Sequence, residues 1–172
     1  MPDDLEALVA VAAAAGSPDA TASHLEHVAS AGRLLVADGD EGPVGLAGSL
    51  PIGAATFVSD LFVAPRWHGR GIGGLLVAAL LVGDGPFVTF SSQHPAALRL
   101  YGRHGMERRG DVLYLERDGR VRHVLSDSAT SSRLIADGWS AVDADVVMAS
   151  PAWAWPDALE EVSPGRFWPN GG

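Results

Sequence analysis

The sequence predicts a mixed α/β layered fold. Three features carry that expectation. A strand-like segment, Ala55 to Val63, runs through a glycine-rich turn into an apolar helical stretch beginning at Ile72. A further strand-like run, Phe87 to Phe90, is followed by a helical segment that carries Tyr101 and stops at Gly105. Ahead of both, two apolar runs flank the turn-rich stretch from Asp38 to Gly42, the pattern of a hairpin.

Taken in order, the chain opens with a predicted helix from about Asp4 to Ala15 and another near Ala20 to Ser30. The hairpin joins Arg33 to Ala37 and Val44 to Leu50. The strand Ala55 to Val63 follows, stopped by Pro65, which lacks a ladder donor. The next helix spans Ile72 to Val82; it is apolar all round and is therefore expected to be buried. After the strand Phe87 to Phe90, Ser91, Ser92 and Pro95 supply turn and helix-start chemistry for a helix over Ala96 to His104. A strand near Val112 to Arg117 comes next. The remainder reads as a strand Val121 to Leu125, a helix Asp127 to Asp137 and a strand Asp143 to Ala149, with Gly138-Trp139 between the last two.

The glycine turn is the most informative segment. Gly69, Gly71, Gly73 and Gly74 let a ligand approach the main chain closely and tolerate unusual backbone angles. The first N–H groups of the following helix have no intrahelical partners, and the helix dipole adds positive potential there. Such donors converge on an anion, typically a phosphate. Arg66 and Arg70 place charge beside the turn.

Gly69, Gly71 and Gly74 satisfy a G-x-G-x-x-G pattern, but a dinucleotide fingerprint follows its strand closely and needs an acidic residue about 20 positions on. Here Pro65 to His68 intervene, and Val88 to Pro95 contains no carboxylate. A Walker A loop is excluded because no Gly-Lys-Ser/Thr occurs.

The segment from Phe87 to Gly110 decides the context. Together with the turn, it resembles the GNAT superfamily of N-acetyltransferases. The glycine turn is similar to that family's acyl-CoA motif, Gln/Arg-x-x-Gly-x-Gly/Ala after a strand ending near Val-x-Pro. The downstream stretch is similar to its Tyr-x-x-x-Gly-Phe segment, here Tyr101, Gly105 and Met106. The likeness covers about Arg33 to Arg117 and implies a mostly antiparallel central sheet flanked by helices. It implies acetyl-CoA as acyl donor and a small-molecule or peptide amine as acceptor. Main-chain groups of Leu61, Phe62 and Val63 would pair with the pantetheine arm. His68, Gly69, Arg70, Gly71, Ile72, Gly73 and Gly74 would hold the pyrophosphate, and Tyr101 would protonate the departing thiolate.

Two positions depart from the family pattern. His68 stands at the usual Gln/Arg position; it can donate hydrogen bonds but is mostly neutral near pH 7. Arg66 and Arg70 then supply the cationic part. His94 stands where the family often has Asn, seven residues before the tyrosine. GNAT folds also usually begin with a strand before the first helix, whereas this sequence opens on the helix.

Acyl transfer from a thioester to an amine needs a neutral amine, donors for the oxyanion and a proton for the thiolate. A tyrosine suits the last task because its pKa lies above that of a thiol. The competing reading of Tyr101 is an ordinary amphipathic-helix residue with its hydroxyl at the surface. Asp60, facing opposite to Leu61 by strand alternation, is the candidate base, acting directly or through water. Glu26 and His27 could also line an acceptor pocket. His24 and His27 share a helix face, but two histidines without a third ligand are a poor zinc signal, and no metal is expected. There is no Gly-x-Ser-x-Gly elbow and no cysteine, so direct attack by the amine is the simpler route.

Composition agrees. The 172 residues, 47% hydrophobic, suffice for one domain with a substantial core. A formal charge of -9 disfavours nucleic acid and leaves a field that attracts cationic amines. The N-terminus has an acidic start and no basic region, unlike a secretory signal. No apolar run approaches the roughly 20 residues that span a bilayer. The absence of cysteine makes a cytoplasmic location the default.

The expected organisation is one GNAT-like domain over residues 1–149 and an irregular tail over 150–172. Residues 118–149 would extend the sheet or represent a vestigial second half, since their order echoes the preceding elements. The tail holds Trp153, Trp155, Phe167 and Trp168 among prolines and glycines. It is expected to dock on its own domain; a homodimer contact or a lid over the acceptor site is the sharper alternative. Two functional classes stay open at this point: an acyl-CoA-dependent N-acyltransferase, and a non-catalytic acyl-CoA-binding or sensor module of the same fold.

Overall fold

The computed structural model describes residues 2–18, 20–83, 85–125 and 128–154. The chain divides into two units, Met1–Phe87 and Val88–Gly172. In the first, helices α1 (Pro2–Ala14) and α2 (Ala22–Ala31) precede three strands, β1 (Arg33–Gly39), β2 (Gly42–Ile52) and β3 (Ala55–Val63). A 3-10 turn, Pro65–Trp67, then leads to α3 (Ile72–Leu80). The strands form an antiparallel meander, β1 pairing β2 and β2 pairing β3. The β1–β2 hairpin is tighter than expected from the sequence: Gly39 pairs with Gly42, leaving Asp40 and Glu41 as the turn. Gly42 takes a φ of 117°, which only glycine adopts without strain.

Side-chain alternation sorts the two faces of this meander. Leu46 of β2, opposite Phe62 of β3, faces the two N-terminal helices and joins a cluster with Leu8, Val11, Ala12 and Leu25. On the other face, Gly45 lies against α3: a Cβ there would stand 3.3 Å from both Ile72 and Leu76. Helix α2 is fixed at its start by Thr21, whose hydroxyl accepts from the His24 N–H at 3.2 Å. At its end, Gly32 lies so close to β2 that a Cβ would fall 1.9 Å from the Ser49 carbonyl.

The sequence expectation that α3 is wholly buried does not hold. Leu76, Val77 and Leu80 are buried, but Leu75 is 71% exposed, and Val82, past the end of the helix, is 66% exposed. A nine-residue helix packed against one face of a sheet can bury only one stripe, whatever its composition.

The second unit holds β4 (Phe87–Ser91) from its second residue on, then α4 (Pro95–Arg103), β5 (Glu107–Arg117), β6 (Arg120–Leu125), α5 (Ser128–Ala136) and β7 (Ser140–Ala149). Its pairings are antiparallel too: β7 pairs with both β4 and β5, and β6 pairs with β5. Strand β5 begins at Glu107, five residues before the predicted start, and carries a bulge between Arg108 and Gly110. Leu115, Leu134 and Trp139 form a cluster here, with Arg117 stacked 4.9 Å from the Trp139 ring centre. Trp153 is buried, its N–H bonded to the Ser150 carbonyl at 2.9 Å. Trp155, Phe167 and Trp168 lie outside the described residues, as does Asp127 at the predicted start of α5. Among the described residues, no helix is long and apolar enough to cross a membrane.

Candidate active site

The glycine turn is built as an open cradle. Strand β3 ends at Val63, and the Ala64 N–H bonds back to the Val44 carbonyl of β2 at 2.9 Å. The chain then turns through Pro65–Trp67, with Gly69 and Gly71 at φ of 76° and 82°. Gly71 is the N-cap of α3 and offers no side-chain cap. The first helical bond runs from Leu75 N–H to the Gly71 carbonyl at 3.1 Å, so the N–H groups of Ile72, Gly73 and Gly74 precede the intrahelical ladder. A Cβ at Gly69 or Gly71 would meet nothing within 4 Å. Left-handed backbone, a helix N-terminus and vacant space above them suit an anionic group.

The side chains around the cradle do more specific work than their order suggests. The His68 Nε2–H donates to the Val63 carbonyl at 2.7 Å, closing the loop back onto the strand it leaves. The carbonyl accepts, so Nε2–H is the donor, and this bond gives His68 a part in shaping the loop. Arg70 stacks over Trp67, 4.5 Å from the ring centre. Trp67 in turn packs on β1 where Gly39 leaves room; a Cβ at Gly39 would stand 3.1 Å from its ring. Arg66 lies 3.9 Å from Glu41, both exposed, a contact that contributes little.

Asp60 lies three residues before the end of β3 and is 5% exposed. Gly48 pairs with Asp60 while Ser49 pairs with Val58, so Ser59 is the extra residue of a β-bulge. A bulge re-aims neighbouring side chains, and here it brings the Ser59 hydroxyl onto the Asp60 carboxylate: Ser59 Oγ donates to Oδ2 at 2.6 Å. From α2, His24 Nε2 reaches both carboxylate oxygens, at 2.9 and 3.0 Å. Gly48 provides the space, since a Cβ there would stand 2.7 Å from Asp60 Oδ2 and 2.8 Å from Val28. The partner of Asp60 is thus His24, which the sequence offered only as half of a poor zinc pair. Glu26 is exposed, and the His27 carbonyl accepts from Ser30 Oγ at 2.9 Å. Among the described residues, no three His, Cys, Asp or Glu side chains gather as metal ligands.

In the second unit, Tyr101 lies on α4 and is 5% exposed. The surface-tyrosine reading therefore fails. Its carbonyl accepts from His104 and Met106 N–H groups at 3.0 and 3.2 Å, and Gly105, at φ of 79°, turns the chain into β5. His94 starts this helix, its Nδ1 accepting from the Ala96 N–H at 3.2 Å with Pro95 in the first turn. The cap is thus His94 rather than Ser91 or Ser92; the Ser91 hydroxyl bonds to the Ser92 carbonyl instead. One pair escaped the sequence reading: Tyr114 of β5 donates to Asp145 of β7 at 2.5 Å. Burial, reinforced by that bond and by the negative charge of Asp145 and Asp143, pushes the Tyr114 hydroxyl well above its usual range.

Residues 30–108 match the family model described as the acetyltransferase (GNAT) domain. Among solved structures, a Pyrococcus horikoshii protein described as an acetyltransferase superposes with a TM-score of 0.73 at 11% identity, covering 95% of this chain and 91% of the other. Ard1 from Thermoplasma volcanium gives 0.64 at 13% identity over 87% and 91% of the two chains. The ribosomal-protein-S18-alanine N-acetyltransferase from Escherichia coli gives 0.58 at 15% over 92% and 94%. At such identities the likeness carries the fold: a mostly antiparallel sheet flanked by helices. Among curated proteins, none matches the chain by sequence.

Proposed function

We propose that this chain, whose residues 30–108 match the GNAT acetyltransferase domain, is an acyl-CoA-dependent N-acyltransferase that moves an acetyl group from acetyl-CoA to a primary amine by direct attack in a ternary complex. The observation that carries the donor half is the cradle: Gly69 and Gly71 in left-handed conformation, open above, leading into a helix without a side-chain cap. N–H groups from Gly69 to Gly74 receive the pyrophosphate, and Arg70 stands beside them. Main-chain groups of Leu61 to Val63 pair with the pantetheine arm, His68 holding the Val63 carbonyl in place.

The amine attacks as its neutral form, the C–N bond forms, the C–S bond breaks and the thiolate takes a proton. Tyr101, buried on α4, is the proposed donor of that proton. Asp60 belongs to the proton-accepting side of the reaction. The formal charge of -9 favours cationic acceptors.

The test couples calorimetric titration of acetyl-CoA with a thiol-release assay. Its acceptor panel spans small amines and a peptide with an N-terminal alanine, the acceptor named for the Escherichia coli neighbour. Saturable binding with amine-dependent release is expected. Binding without release from any amine would leave a carrier or sensor and overturn the transferase reading. Tyr101→Phe is expected to slow release by about 100-fold, the scale of one general acid, with binding retained; an unchanged rate would remove Tyr101 from that role.

A further inference from the structure

We propose that His24 is the proton acceptor of the acyl transfer and that Asp60 is the residue that positions it. The inference rests on the transferase reading above and assigns the acceptor side of the same site.

Exposure separates the two groups. The Asp60 side chain is 4% exposed and the His24 side chain 19%, so the imidazole is the member of the pair that an amine or a bridging water reaches. Hydrogen bonding fixes the proton inventory. A carboxylate accepts, so Nε2 carries the hydrogen shared between the two Asp60 oxygens, and the neutral ring has its basic lone pair on Nδ1. Ser59 Oγ donates to the same carboxylate and helps fix its orientation toward the ring. When Nδ1 takes a proton, the resulting imidazolium lies against the Asp60 carboxylate.

The ring is also held by the fold. Thr21 caps α2 beside His24, and Leu25 and Val28 anchor the helix with no exposed surface. The β-bulge at Ser59 and the vacant Cβ position at Gly48 make room for the pair. Its location suits the chemistry. Val63, where the cradle begins, lies three residues beyond Asp60, roughly 10 Å along a strand. A pantetheine arm laid back along Val63, Phe62 and Leu61 brings its thioester toward the level of Asp60.

The proton balance closes. An ammonium acceptor gives one proton to His24 Nδ1 and attacks as the free amine. A second proton leaves nitrogen as the tetrahedral intermediate collapses and replaces the one that Tyr101 gives to the thiolate, so the tyrosine ends protonated. His24 then releases its proton to solvent. Other ionisable groups on neighbouring elements are Asp3, Asp4 and Glu6 on α1 and Arg33 and Asp38 on β1, with Glu26 and His27 on α2 itself. Strand β2 carries none, and the Asp60 carboxylate lies 2.9 Å from the ring.

A histidine joining α2 to the sheet could instead serve only to hold the two together, and His24→Gln distinguishes the roles. Glutamine retains an N–H donor for Asp60 but has no basic lone pair. The expected result is a melting temperature and acetyl-CoA affinity close to wild type, with kcat reduced about 100-fold or more. The acidic limb of the wild-type pH–rate profile should disappear. Nitrogen-15 NMR of His24 in the wild-type protein should show the Nε2–H tautomer when the ring is neutral. Wild-type kcat and pH profile in His24→Gln, or an Nδ1–H tautomer, overturns the assignment of His24 alone. Failure of the wild-type protein to release thiol with acetyl-CoA bound overturns the transferase reading, and this inference with it. The chain contains no lysine, so self-acetylation of side chains adds nothing to the signal.

Discussion

Gly48 offers the sharpest test of the packing around Asp60. It occupies an ordinary strand position in β2, so its small size is a matter of space and not of backbone conformation. In Gly48→Ala the new Cβ would stand 2.7 Å from Asp60 Oδ2, 2.8 Å from Val28 Cγ1 and 3.0 Å from Ser59 Oγ, all below the 3.4 Å at which ordinary contact begins. None of the three yields easily. Val28 is fully buried, and the Asp60 carboxylate is bonded from two sides. Overpacking of this kind costs about 1–3 kcal/mol. A carboxylate pushed off one donor in a buried site adds about 1–3 kcal/mol. A combined loss of roughly 2–6 kcal/mol is a large share of a typical folding stability of ~5–15 kcal/mol. Equilibrium urea unfolding should show a lower midpoint with an unchanged m value. The nitrogen-15 signals of His24 should shift as its bond to Asp60 lengthens. A loss below about 0.5 kcal/mol, the size of an ordinary surface substitution, together with unchanged His24 signals, would refute the claim that the pair is tightly enclosed.

Other substitutions separate the remaining features. Gly32→Ala drives a Cβ to 1.9 Å from the Ser49 carbonyl, a backbone atom, so a loss of roughly 4 kcal/mol or more is expected by circular dichroism melting; a well-folded variant would contradict the placement of α2 on β2. Gly69→Ala meets open space but keeps a φ of 76°, so it should cost only about 1–2 kcal/mol while weakening acetyl-CoA binding, read by calorimetry. His68→Ala removes the bond to the Val63 carbonyl and should raise the acetyl-CoA Kd by about tenfold, the equivalent of one hydrogen bond of ~1.4 kcal/mol; unchanged affinity would leave His68 no part in shaping the loop. Tyr114 concerns alkaline stability. Burial first, then Asp145, raises its pKa in the folded chain, whereas the unfolded chain releases the proton near pH 10. Stability from this group is therefore complete below about pH 10 and lost as pH rises beyond it. Tyr114→Phe should flatten the fall in denaturation midpoint above that pH, and an unaltered slope would argue against the shift.

Elements flanked by strong punctuation were legible in the sequence. Strand β3 runs over the predicted Ala55–Val63 because Gly53 and Pro65 bound a run of β-branched and aromatic residues. Helix α4 was signalled by Pro95 and Gly105. The first five residues of β5, Glu107 to Asp111, gave no such signal: they are mostly charged and include a glycine. Their strand conformation comes from pairing with β7 some 40 positions away, across a bulge that absorbs Arg109. The excess burial assigned to α3 has the converse origin. Composition made it apolar on every side, but only its packing against one sheet face decides which side is covered.

The cradle could be read from consecutive residues because its parts are contiguous: a strand end, two left-handed glycines and a helix start within one short stretch. The pair His24–Asp60 could not, since its members lie 36 positions apart and meet only when α2 lies across the β2–β3 bulge. A faint signal was present in β2, where Gly45, Ala47, Gly48 and Ser49 give an apolar strand unusually little side-chain volume. Strands do not favour glycine for its own sake, and glycine within one often marks a bulge or a close approach. Gly45 answers to α3 on one face, while Gly48 answers to Asp60 and Val28 on the other. The small residues of β2 thus serve two different ends of the proposed chemistry. One lets the helix that starts at the cradle sit close to the sheet, and the other lets a histidine from α2 reach a buried carboxylate.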